Sequence, residues 1–91
     1  MTVEADIERH LAKRVKELGG EVRKVQWPGR RHAPDRLVLL PDRMAAFVEL
    51  KRPGDKPRAG QLREHDRLRK ACLVVVVFDT KEAIDVWLGI A

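Results

Sequence analysis

The feature that most constrains this chain is the stretch at residues 34–51: Pro34-Asp35, thirteen intervening residues, then Glu49-Leu50-Lys51. Residues 37–40 (Leu-Val-Leu-Leu) and 45–50 (Ala-Ala-Phe-Val-Glu-Leu) read as strands, and Pro41, Asp42 and Arg43 between them are turn residues. A hairpin in which Leu40 pairs with Met44 sets Asp35 directly opposite Glu49. Opposed cross-strand residues have Cβ atoms about 4.5–5.5 Å apart, where like charges destabilise a sheet. A divalent cation between the two carboxylates turns that repulsion into coordination. Residues two apart share a strand face, so Lys51 stands beside Glu49, while Val48 and Leu50 turn into the core. The expectation is a metal-dependent phosphodiesterase site.

Ninety-one residues are read as one domain, 1–91. A chain this short buries about 60–65% of its unfolded surface, enough for one modest core. With 36% charged and 44% hydrophobic residues it is expected to be a folded, soluble protein rather than a disordered one. No apolar run approaches the ~20 residues of a membrane span, and no apolar stretch of signal-peptide type opens the sequence. The single cysteine, Cys72, allows no internal disulfide and suits a reducing cytoplasm. It reads as a small buried apolar residue. The net charge of +5 and pI near 9.9 favour polyanionic partners. Residues 51–70 hold eight Lys/Arg against three acids, which concentrates the positive charge next to Glu49 and Lys51.

Val3, Ile7, Leu11, Val15 and Leu18 recur at helical spacing until Gly19-Gly20 stops them, predicting a helix over 3–18. Residues 21–27 read as a polar edge strand, and Pro28-Gly29 opens a basic loop through Arg30, Arg31 and His32. After the hairpin and a Pro/Gly-rich loop at 52–60, a second helix is expected over 61–71, with Leu62, His65, Leu68 and Cys72 as its apolar stripe. Residues 73–78 form an unbroken apolar run, as in a strand covered on both faces. Thr80 can cap a last helix over 81–89 with Ala83, Ile84, Trp87 and Leu88 inward. The order is αβββαβα. The strand at 45–51, helix 61–71 and strand 73–78 make a parallel βαβ unit, so the sheet is mixed and flanked by helices.

Mg²⁺ typically uses one or two carboxylates plus waters and substrate phosphate. Asp35 and Glu49 fit as metal ligands, with the Leu50 backbone carbonyl as a third, and Lys51 can neutralise phosphoryl charge. On the first helix, at about 100° per residue from Ile7, Leu11 falls near roughly 40°, Glu4 near 60° and Glu8 near 100°. Both glutamates border the buried stripe, where a carboxylate is unusual unless paired or facing a metal, and geometry alone does not choose between them. Gln61 opens the second helix. Arg30 and Arg31 suit phosphate contacts, with His32 beside them. Trp27 reads as core, His10 as exposed and His65 as packing. Ile84, Trp87, Leu88 and Ile90 form a patch larger than a small domain is expected to bury, which suggests self-association.

Pro34-Asp35, Glu49-Leu50-Lys51 and Gln61, preceded by helical Glu8-Arg9, resemble the PD-(D/E)XK nuclease superfamily. More closely, the chain resembles compact VRR-Nuc domains of phage and bacterial origin. The likeness runs through residues 22–27, 33–36, 48–51, 61–65 and 79–85. It implies a restriction-endonuclease-like α/β core and a Mg²⁺- or Mn²⁺-dependent DNA endonuclease. In that reading Asp35 and Glu49 are ligands, Lys51 is the catalytic lysine, Glu8 is the helix carboxylate with Glu4 in reserve, and Gln61 is the family glutamine. It further implies a homodimer similar to Holliday-junction resolvases, acting on branched DNA. The DNA-contacting set is then Arg30, Arg31, His32, Arg36, Arg52, Lys56, Arg58 and Arg63. The chain departs from the family pattern where His32 replaces a usual glycine, where the turn at 41–43 is short, and where Ala71-Cys72 replaces a helix-ending glycine. The rivals are a nuclease acting on flaps or ends, and a non-catalytic nucleic-acid-binding module.

Overall fold

The computed structural model describes residues 2–90. Helix α1 (Val3–Glu17) begins where Thr2 Oγ1 accepts the Ala5 N–H at 3.1 Å, and its first turn carries Glu4 and Asp6. Carboxylates there suit the positive end of the helix dipole. Four strands follow the expected order around a second and a third helix: β1 (Glu21–Lys24), β2 (Arg36–Leu39), β3 (Ala46–Leu50), α2 (Ala59–Lys70), β4 (Val74–Phe78) and α3 (Lys81–Leu88). The sheet runs β1-β2-β3-β4, with antiparallel pairs except for parallel β3–β4. The αβββαβα order and the mixed sheet are therefore as expected. Some boundaries differ: β1 ends at Lys24 instead of residue 27, and α2 starts two residues early.

Register matters most for the site. Arg36 pairs with Val48, Leu37 with Phe47 and Val38 with Ala46. One step further along both strands brings Asp35 level with Glu49. The same register runs across β4, where Glu49 pairs with Val77.

One face of the sheet carries the core. Ile7, Leu11 and Val15 of α1 and Ile84 and Leu88 of α3 close on Val38, Val48, Leu50 and Phe78. Truncating a fully buried leucine such as Leu11 costs about 2–5 kcal/mol, which makes this layer the main source of stability. Val3 and Leu18, read as part of the α1 stripe, are exposed at the two ends of the helix. The Ile84, Trp87, Leu88 and Ile90 patch does not stand open: Ile84 and Leu88 are buried, and Trp87 and Ile90 pack against the same core. Trp87 and Ile90 stay half-buried, and Val86 beside them is exposed.

The opposite face is covered by α2 in an unusual manner. The helix buries Gly60, Glu64 and His65, while Leu62 is exposed. Of the expected stripe His65 is buried and Leu68 half-buried, while Leu62 and Cys72 are exposed and Glu64 takes a buried place beside His65. Cys72 is also exposed, against the expectation of a buried thiol. It sits just past the end of α2 at φ 66°, where its N–H donates to Arg69 O at 2.9 Å and the Leu73 N–H to Leu68 O at 3.0 Å. This left-handed helix stop favours glycine. Cys72→Gly is expected to raise stability by about 1 kcal/mol by relieving the left-handed strain, read as a higher denaturation midpoint at unchanged slope.

Candidate active site

Glu49, Leu50 and Lys51 leave the C-terminal end of β3, and Asp35 enters from the start of β2. They line a cavity of about 330 Å³ that Gln61 of α2 and Glu4 and Glu8 of α1 also reach. Every residue expected to carry chemistry is therefore brought to one place. Lys24 and Arg36 line it too. Lys24 was missed by sequence reading, although its pairing with Arg36 across β1 and β2 puts it at the site.

The carboxylates are held, not loose. Asp35 Oδ2 accepts the Leu50 N–H at 2.8 Å, which ties the two strands together at the site. Glu49 is 2% exposed. Burial, and then the neighbouring Asp35 carboxyl, push its pKa up to about 8, with Lys51 pulling in the other direction. A cation between two acids crowded this way would relieve their repulsion. Among the described residues no group of three or more His, Cys, Asp or Glu side chains forms a metal cluster. Two hard carboxylates in an open, polar cavity are the donor set that Mg²⁺ accepts when water and phosphate complete its shell.

The α2 side chains organise the rest. Gln61 Oε1 accepts from Lys51 Nζ at 2.9 Å and from the Arg58 N–H at 2.8 Å, while its amide nitrogen lies 3.4 Å from Glu49 Oε2. One turn along, His65 Nε2 lies 3.3 Å from Glu49 Oε1. Burial, then the positive charges of Arg69 and Lys51, lower the pKa of His65. The expectation of a histidine buried in the packing layer is met, but the layer it joins belongs to the site.

On α1, Glu8 pairs with Arg36, which also donates to the Asp35 carbonyl at 2.8 Å. Glu4 faces Arg52 at 3.5 Å, both more than half exposed. Arg36 and Arg52, expected on DNA, thus each hold a glutamate at the cavity rim. Arg30 pairs with buried Glu64 at 2.9 Å, and Arg67 joins the same carboxylate. The Arg30 guanidinium foremost, then Arg67, holds Glu64 down at about 2. This clamp fastens the 28–33 loop to α2. His32, at φ 70°, lays its ring where a Cβ on Gly60 would overlap it, so residue 60 must be glycine while His32 stays there. Arg31, Lys56, Arg58 and Arg63 are exposed. Trp27 is half-buried and packs edge-on against Phe47 at 5.9 Å, as a core aromatic does. His10 is not free on the surface: it is half-buried, 2.7 Å from Asp85, and with Arg14 it joins α1 to α3.

The fold and this site define a restriction-endonuclease-like α/β domain with paired carboxylates and a lysine at one end of a mixed sheet. No family model matches the chain. A protein of Acyrthosiphon pisum secondary endosymbiont phage 1 that bears the name "Putative nuclease p44" is 48% identical over 79 residues, covering 87% of this chain and 85% of the relative. A solved structure described as a VRR_NUC domain superposes with a TM-score of 0.91 at 39% identity, covering 98% of this chain and 97% of that one. The chain belongs to the VRR-Nuc family.

Proposed function

We propose that this chain is a metal-dependent DNA endonuclease that hydrolyses phosphodiester bonds, with branched DNA such as a four-way junction as its preferred substrate. The observation that carries the reading is the meeting of Asp35 and Glu49 across β2 and β3 beside Lys51 and Gln61. Asp35, Glu49 and the Leu50 carbonyl would hold Mg²⁺ or Mn²⁺. The bound ion would supply Lewis acidity toward the phosphoryl oxygens and would acidify a water for attack. Lys51, steadied by Gln61, neutralises charge on the phosphoryl oxygens. Glu8, or Glu4 in its place, orients water from the α1 side of the cavity.

Exposed Arg31, Lys56, Arg58 and Arg63 contact the DNA backbone, and Arg36 and Arg52 add to the positive rim while holding the α1 glutamates. Arg30 acts chiefly by fixing the loop that presents Arg31 and His32. Family likeness supports a homodimer working in the cytoplasm on two strands of a junction, and sedimentation at micromolar concentration reads its mass directly. Among the described residues no helix is long and apolar enough to cross a membrane.

The test is cleavage of labelled four-way junctions, flaps and linear duplex with Mg²⁺, Mn²⁺ or chelator. Metal-dependent cutting is expected, fastest on the junction. Cutting of flaps or ends alone removes the junction preference, and binding without cutting under every condition leaves only a nucleic-acid-binding module. Recognition through phosphate also predicts steep salt dependence. For roughly four neutralised phosphates, affinity should fall about a hundredfold between about 50 and 200 mM salt.

A further inference from the structure

We infer that His65 is a positioning residue for Glu49, fixing one carboxylate oxygen so that the other is presented to the cation. The inference rests on the nuclease reading above. Gln61 and His65 are four residues apart on α2, so they project from one face of the helix, the face that reaches Glu49 of β3. Each meets a different oxygen of the same carboxylate: Gln61 lies 3.4 Å from Oε2, His65 3.3 Å from Oε1. Their other partners set them apart. Gln61 also serves Lys51 and the Arg58 N–H and stays partly open, whereas His65 is fully buried and Glu49 is its one hydrogen-bond partner among the described residues.

An imidazole in that place is costly if it only fills space. Its Nδ1 is buried without a partner, and an apolar side chain of similar size would avoid that penalty. What a leucine cannot do is donate to Oε1. With a cation bound Glu49 is ionised and accepts, so the proton sits on Nε2 and Nδ1 is the nitrogen left without a partner. Groups that orient a ligating side chain typically matter 10–100-fold in metal affinity. The same argument explains why α2 buries a polar face: the helix is a support for the carboxylate.

The test compares His65→Leu, which keeps bulk without a donor, with His65→Gln, whose amide nitrogen comes near the place of Nε2. Mn²⁺ binding is read by calorimetry on the full chain, and cleavage is titrated with Mg²⁺. His65→Leu is expected to fold with a melting temperature equal to or above the parent's, yet to need at least about tenfold more metal for half-saturation. His65→Gln should stay within about threefold of the parent. Leucine and parent binding Mn²⁺ alike would overturn the inference. So would equal losses in both variants, because packing and not donation would then be at stake. If the parent itself neither binds Mn²⁺ nor cuts DNA, the nuclease reading fails with it. A parent that binds and cuts while His65→Leu matches it sinks the positioning role alone.

Discussion

Replacing Asp35 by asparagine is expected to lower metal-dependent cleavage by about a thousandfold while leaving DNA affinity within a few-fold. The size follows from removing one of two anionic donors from a metal that supplies several kcal/mol of transition-state stabilisation. The fold should survive, since an asparagine oxygen can still accept the Leu50 N–H that Asp35 Oδ2 accepts at 2.8 Å. Glu49→Gln should lose activity to a similar degree but gain stability in the metal-free protein. Its neutral amide ends the crowding of two acids, one of them buried. Opposite signs for activity and stability at one residue mark a group kept for chemistry rather than for the fold. Thermal melts and cleavage rates of the two variants decide it. If both cut DNA at parental rates, Asp35 and Glu49 are merely part of the strand pair.

The hairpin was legible because two independent patterns agreed on it. Alternation in 45–50 fixes which side chains face the core, and the turn residues at 41–43 set the pairing, so Asp35 fell opposite Glu49 even though the loop proved longer. Helix α2 was harder to read. Its stripe of Leu62, His65, Leu68 and Cys72 scores well for periodicity, but the helix is rotated so that Gly60, Glu64 and His65 lie beneath it. Periodicity assumes that what is buried is apolar, and that assumption fails where a helix covers a site. The non-glycine residues at positive φ among the described residues, His32 and Cys72, fall at two of the expected departures from the family resemblance. The sequence does not announce that both residues take up the left-handed backbone that favours glycine. His10 looked free because its partner, Asp85, lies 75 residues away on α3. Long-range polar pairs of this kind leave no local signature.

Magnesium is expected to stabilise the protein far more at pH 8.5 than at pH 6, and the reason lies in Glu49. Its carboxyl is raised from the ordinary 4.5 to about 8 in the metal-free fold, chiefly by burial and then by Asp35. Between those values the native state holds a proton that the unfolded chain has released. Since stability changes with pH as the difference in protons bound by the unfolded and native states, the metal-free protein loses stability as pH rises through this window. A cation seated between the carboxylates must first displace that proton. Its apparent affinity should therefore rise about tenfold per pH unit from roughly pH 6 to 8 and level off above. Melting curves with and without Mg²⁺ across this range measure both slopes. Glu49→Gln should abolish the two together, because one ionisation causes both. A Mg²⁺ response that is equally large at pH 6 and 8.5 in the parent would place the ion somewhere other than between Asp35 and Glu49.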